Sequence, residues 1–305
     1  MTENAVELRR VTKSFGAHTA VNELDLAVPR GCVYGFIGPN GSGKTTTLRM
    51  IMRILHPDRG EIEVLGQQSN DAATDRVGYL PEERGLYKQM KVRDVLAYYA
   101  QLKGMRDCRA TVDAWLARMG LVDWRDKQVQ TLSKGMAQKV QFIAAVVTNP
   151  VLVLLDEPFT GLDPVNMDVL RDAMLDLRRD GATVIFSTHD MAVAEKMCDR
   201  VFMIYKGRKV LDGTLQSIQD AHGADTIRVR FDGNTAPLDG LPGVQSIADF
   251  GRTQELRMQT GADPQHVLAA LVERAPLLHF EITRPSLHDI FVRIARPQAE
   301  DNGHA

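Results

Sequence analysis

Cysteine is scarce in this chain of 305 residues: Cys32, Cys108 and Cys198 lie far apart, with no C-x-x-C pair and no histidine at ligand spacing. Three scattered thiols exclude a disulfide framework and read as reduced, structural cysteine. The eight histidines contain no H-E-x-x-H pattern, so no dedicated zinc site is expected. Long apolar runs are lacking too. Residues 142–147 and 151–155 are the notable stretches, far short of the roughly 20 residues that span a bilayer, so any membrane role is peripheral. The first ten residues, MTENAVELRR, carry neither a basic leader nor an apolar core, which points away from secretion and towards a cytosolic location. Charge of one sign is also missing. Lys and Arg number 37 against 39 Asp and Glu, and a formal net charge of −2 provides no overall field to attract nucleic acid.

What is present is ordinary for a globular protein, with 44% hydrophobic and 25% charged residues, and the length predicts about two domains. From Val6 to about Asp212, short β-branched runs alternate with helical stretches, the pattern of an α/β domain with a largely parallel sheet. Val33 to Ile37 reads as a buried strand and Thr45 to Leu55 as a helix ending before His56-Pro57, with a glycine-rich turn between them. Residues 151–155 and 183–187 are two further apolar strands, and 201–205 closes the set. Between about Gly85 and Pro150 the β signal vanishes. Val92, Val95, Leu96, Tyr99 and Leu102, then Val112, Trp115, Leu116 and Met119, recur at helical spacing and predict a helical insertion.

The period changes again after residue 215. Residues 215–224 predict a short helix running into a Gly-containing linker, placed at 216–224. Thr226 to Phe231 and Gln254 to Met258 alternate as strands, and Asp263-Pro264 offers an N-cap for a helix through Arg274. Leu277 to Ile282 then reads as a strand and Pro285 to Ile294 as a helix. A small α+β domain over 225–296 is expected, with a disordered tail at 297–305.

Three motifs carry chemistry. Residues 38–45, GPNGSGKT, satisfy G-x-x-x-x-G-K-[ST] between a predicted strand and a predicted helix. In that setting backbone N–H groups and the helix N-terminus cradle phosphates, Lys44 reaches the β and γ oxygens, and Thr45 supplies a Mg²⁺ ligand. The strand at 151–155 ends in Asp156-Glu157, two carboxylates at the end of an apolar run. Beside a phosphate loop, Asp156 is the natural Mg²⁺ partner and Glu157 the candidate base for an attacking water. His189 follows another strand at its C-terminal end, where α/β folds hold their ligands.

Together these residues resemble the nucleotide-binding subunits of ABC transporters. Residues 132–136, LSKGM, occupy the place of that family's L-S-G-G-Q signature; Lys134 and Met136 depart from it, while Ser133 and Gly135 remain. Phe15 resembles the aromatic that stacks on adenine, and residues 79–82, YLPE, resemble the loop that normally carries a Mg²⁺-sensing Gln, here Glu82. Residues 161–164, GLDP, resemble the loop linking two active sites, and His189 the switch histidine. The likeness spans about residues 5–215. The run GYLPEERGLY at 78–87, the LSKGM signature and the closing PSLHDIFV at 285–292 are similar to the ABC-2 exporter branch, including sodium and multidrug efflux subunits with a small C-terminal domain.

The resemblance implies a P-loop ABC ATPase core over 1–215 with a helical signature subdomain at about 85–150. It implies a head-to-tail homodimer that sandwiches two ATP molecules and works on a separate integral membrane permease, from the inner face of the cell membrane. The residues it assigns to ATP are Phe15, Val21, Gly38, Pro39, Asn40, Gly41, Ser42, Gly43, Lys44, Thr45, Thr46 and, across the dimer, Ser133, Gly135 and Asp163. Lys44, Glu157 and His189 are the expected catalytic residues; Thr45, Asp156 and Glu82 are the expected Mg²⁺ ligands. A soluble ABC-type ATPase acting on ribosomes or DNA is the competing reading, and a single P-loop with no sustained heptad run weighs against it. The C-terminal domain reads as a dimerisation element or as a regulatory ligand-binding module.

Overall fold

The computed structural model describes residues 4–67, 76–83, 85–222, 226–232, 238–249, 251–259 and 261–295; the predicted tail at 297–305 and the glycine of the predicted linker lie outside them. Two compact units divide the chain, Met1–Gly213 and Thr214–Ala305.

The first unit holds a six-stranded sheet in the order β5-β6-β7-β3-β8-β9: β3 (Val33–Ile37), β5 (Val77–Leu80), β6 (Leu152–Asp156), β7 (Thr183–Thr188), β8 (Arg200–Tyr205) and β9 (Arg208–Gly213). Five of these strands run parallel and β9 returns antiparallel on the edge. Every residue of β3, β6 and β7 is buried, as expected where both faces of a parallel sheet are covered. Successive side chains serve opposite cores. Val153, Leu155, Val184 and Phe186 join the helical side, while Leu152, Leu154, Ile185 and Tyr34 join the other.

That other side is covered by a three-stranded antiparallel sheet, β2-β1-β4, from β1 (Asn4–Phe15), β2 (His18–Pro29) and β4 (Arg59–Val64). The sequence pattern predicted one largely parallel sheet and did not separate this layer. The reason lies in β1, whose register shifts and left-handed Arg10 (φ 48°) break the alternation that marks a strand. β9 was likewise unread; a two-residue turn with positive φ at both Lys206 and Gly207 folds it back on β8.

The helical side comprises α2 (Val92–Leu102), α3 (Arg109–Arg118) and α4 (Lys134–Val146), within the predicted insertion, and α5 (Pro164–Arg179). Val92, Val95 and Leu96 are buried with Val112, Trp115 and Leu116, whereas Leu102, assigned to the same stripe, is exposed. α1 (Lys44–Ile51) is shorter than the predicted helix to Leu55, because Arg53 takes a left-handed φ of 58° and ends it. α6 (Met191–Met197) completes the unit, and among the described residues no helix is long and apolar enough to cross a membrane.

The second unit begins with α7 (Leu215–Ala221), so the span placed at 216–224 as linker is mostly helix. Thr214 caps it, and Gln219 and Asp220 bond to Pro285 and Arg284 of the same unit, which is why it packs here rather than running free. A four-stranded antiparallel sheet follows in the order β11-β12-β10-β13, from β10 (Thr226–Phe231), β11 (Val244–Asp249), β12 (Gln254–Met258) and β13 (Leu277–Thr283). α8 (Pro264–Arg274), capped by Asp263 with Pro264 in its first turn, closes the core of Ile227, Val229, Leu256, Val267 and Leu271; α9 (Leu287–Ala295) is the last helix. β11 had no sequence signal, since its residues are exposed or half-buried and no apolar alternation is required of them.

Candidate functional site

Strand register assembles the site. Ile37 pairs with Thr188 and Asp156 with Ser187, so the segments leaving β3, β6 and β7 emerge side by side at the carboxyl edge of the sheet. Residues 38–43 turn there into α1. Gly38 has φ 156° and Gly43 φ 111°; a Cβ on Gly38 would meet Ile204 O at 2.3 Å, and one on Gly43 would meet Ala20 O at 2.5 Å. Only glycine lets this backbone wrap so tightly.

Lys44 lies buried inside the loop. Its Nζ donates to the carbonyl oxygens of Gly38 (2.7 Å) and Pro39 (3.2 Å) and stands 3.6 Å from Glu157 Oε1. Burial lowers its pKa, opposed chiefly by the Glu157 carboxylate and also by Asp156 and Glu82. Asp156 is fully buried, and desolvation holds its pKa above the ordinary carboxylate value despite the hydrogen bond from Ser187. Ser187 Oγ donates to Asp156 Oδ1 at 2.5 Å and accepts from Glu157 N at 2.9 Å. Asp156 Oδ2 is buried with no protein partner. Glu157 adopts φ 48°, a strained backbone for a non-glycine residue, and His189 Nδ1 lies 3.1 Å from both of its carboxylate oxygens.

A cleft of about 460 Å³ opens over these groups, lined by Asn40, Gly41, Gly43, Lys44, Thr45 and Thr46 with Phe15, Glu82 and Glu157. Phe15 is half exposed at the β1–β2 turn and Lys13 Nζ lies 5.6 Å from its ring centre. Sequence reasoning missed Ala20 and His18, which also line the cleft, and Ser187; none belongs to a motif, and His18 is found only through its pairing with Phe15 across the turn. Val21 does not line the cleft. Its side chain is fully buried, because alternation along β2 turns it inward and leaves Ala20 to the cleft.

Ser133, Gly135 and Asp163 do not line it either. Ser133 caps α4, accepting from Met136 N at 3.2 Å, and Asp163 caps α5, accepting from Asn166 N at 2.9 Å; both are exposed. One chain thus presents a complete phosphate cradle and, separately, a second helix terminus with a hydroxyl.

A phosphate loop joined to a buried aspartate, a strained glutamate and a histidine on an α/β sheet defines a P-loop nucleotide hydrolase. Comparison with known proteins places it further. The ABC transporter family profile matches residues 21–160, and that of the ATP-binding protein DrrA1-3-like C-terminal domain matches residues 213–295. The chain is 40% identical over 284 residues to the uncharacterized ABC transporter ATP-binding protein YhaQ of Bacillus subtilis strain 168, covering 92% of this chain and 95% of that one. It is 34% identical over 308 residues to the Nod factor export ATP-binding protein I of Rhizobium sp. strain N33, covering 98% and 100%. Among solved structures, one described as the ATP binding subunit of an ABC transporter superposes with a TM-score of 0.68 at 30% identity, over 72% of this chain and 93% of that one. The chain belongs to the ABC transporter ATP-binding proteins: it is an ABC transporter ATPase subunit.

Proposed function

We propose that this subunit hydrolyses ATP as a head-to-tail homodimer on the inner face of the cell membrane and drives export through a separate ABC-2 type permease. The observation that supports the reading is the division of the site: Lys44 and Glu157 line one cleft, with His189 held on Glu157, while Ser133, Gly135 and Asp163 lie outside it and Ser133 and Asp163 are exposed. A partner's exposed signature terminus would complete each cleft.

Mg²⁺ fits the residues present. Asp156 offers a buried oxygen without a protein partner, and Thr45 and Glu82 stand at the cleft. No cluster of three His, Cys, Asp or Glu occurs among the described residues, which suits a cation held by a hydroxyl, one or two carboxylates and substrate phosphates. When bound, the cation neutralises phosphate charge. The chain's own groups do the rest. Loop amides and Lys44 hold the phosphates, and Phe15 offers a face to the base. Glu157 accepts the proton of the attacking water while His189 holds its carboxylate in place.

The permease contact is placed on the helical side. A mostly apolar groove of about 250 Å³ runs past Tyr79, Pro81, Leu86, Tyr99 and Lys103. Tyr87, Tyr98 and Tyr99 pack mutually at its rim with ring centres 5.6–6.4 Å apart, and Tyr87 and Tyr98 are exposed. The groove is tied to the cleft: Gln141 donates to Pro81 O and Glu83 O, and Arg49 of α1 pairs with both carboxylate oxygens of Glu83. The C-terminal unit is assigned to dimerisation.

The test is co-purification from solubilised native membranes. A multi-span protein recovered in stoichiometric amount, and lost with Tyr98→Ala, supports the reading; ribosomal or DNA-bound material in its place overturns the transport assignment and leaves the ATPase.

A further inference from the structure

Lys139 sits in the second turn of α4, the helix that Ser133 caps, and it is buried. Among the described residues, no carboxylate lies within ion-pair distance of it. Its Nζ donates to Met119 O at 2.7 Å and to Asn166 Oδ1 at 2.8 Å. Met119 is the C-cap of α3, so the first bond closes a helix terminus. The second does something different. Because Oδ1 accepts from the ammonium, the Asn166 amide can present only its NH₂ in the other direction, and Nδ2 donates to Asp163 Oδ2 at 2.6 Å. Asn166 N donates to the other oxygen, Asp163 Oδ1, at 2.9 Å. Both oxygens of an exposed carboxylate are therefore set by one asparagine, whose own orientation is set by a buried lysine.

We propose that Lys139 is a positioning residue for ATP hydrolysis: through Asn166 it locks the Asp163 carboxylate to the signature helix, so that Ser133 and Asp163 reach the facing active site as one block. The proposal rests on the dimer reading above. Burying an ammonium against neutral acceptors is costly, and an apolar side chain would fill the same space without that cost. The α3 terminus alone does not require it, since a helix end can be closed by its own backbone, as Gly120 N and Leu121 N do here with Ala117 O and Leu116 O. What an apolar residue could not do is choose which end of the Asn166 amide faces Asp163. Hydrogen bonds in series polarise one another, which further favours the single arrangement.

The experiment uses the full chain and steady-state ATPase. Lys139→Met should lower kcat about tenfold with KM for ATP within about twofold, because no group touching the nucleotide changes. Lys139→Arg, which can still donate to Asn166, should return kcat to within about twofold of the starting protein. Asn166→Ala leaves the buried Lys139–Met119 bond in place and should cost about as much as Lys139→Met, and the double variant no more than either alone. Wild-type kcat in Lys139→Met or in Asn166→Ala overturns the proposal, as do losses that multiply in the double variant. The dimer reading is checked apart, by the mass of Glu157→Gln with ATP. A monomer there overturns that reading and the proposal with it, whereas a dimer together with undiminished Lys139→Met turnover overturns the proposal alone.

Discussion

The phosphate loop and the signature helix are built on opposite principles. At the phosphate loop, Ser42, Lys44, Asp156 and Glu157 are buried, one carboxylate oxygen has no protein partner, and Glu157 holds a left-handed backbone. At the signature end, Ser133 and Asp163 are exposed and do the routine work of helix caps, each with its hydrogen bond made. Buried and incompletely satisfied charge is costly and persists where something else is to be bound. A satisfied, solvent-facing cap carries no such cost. The contrast teaches that one chain keeps buried, incompletely satisfied charge at one end and satisfied, solvent-facing helix caps at the other.

If that division is right, the largest effects belong to the buried end. Glu157→Gln should cut turnover by more than about a hundredfold while ATP affinity stays within about twofold, read by phosphate release and by equilibrium binding. Normal turnover in that variant would remove Glu157 from the mechanism. The comparison is sharpened by mixing chains. Lys44→Ala and Ser133→Ala should each be impaired alone, by about tenfold or more, yet the mixture should recover activity because each mixed dimer carries one intact cleft facing one intact signature. No recovery would place both ends of the site in the same chain.

Phe15→Ala should raise KM about fivefold with little change in kcat, the effect expected of a contact made equally in ground and transition states. The smallest effect is one of stability. Burial raises the folded pKa of Asp156 above its unfolded value, so stability is lost as pH rises from the unfolded pKa to the folded one and stays lost above it. Asp156→Asn in chelator should therefore raise the melting midpoint at neutral pH by about 2–4 °C, the shift that ~1 kcal/mol produces in a domain of this size. That gain should shrink as pH falls towards the ordinary carboxylate range, where both side chains are neutral. An unchanged or lower midpoint at neutral pH would show that Asp156 is not under electrostatic load.

The phosphate loop, Asp156-Glu157, His189 and the cap at Asp263 were legible because each depends on residues close in sequence, where spacing reports geometry directly. The layer made by β1, β2 and β4 was not, since bulges erase its period, and β11 was not, since no face of it must be apolar. Ser187 was invisible for another reason: a serine in a buried strand has no motif, and its role exists only because the register of β6 and β7 sets it beside Asp156. Val21, expected at the nucleotide, does not line the cleft, whereas its neighbour Ala20 does.

The sequence by itself therefore determined the class of chemistry, the order of the motifs and the two-part build of the chain, because these rest on local residue type and spacing. Tertiary structure alone decided which oxygen of Asp156 has no protein partner and why Glu157 is strained. It also decided how Lys139 reaches Asp163 and why the signature stands outside the cleft, since those depend on contacts between residues far apart in the chain, which only the packed sheet and helices create.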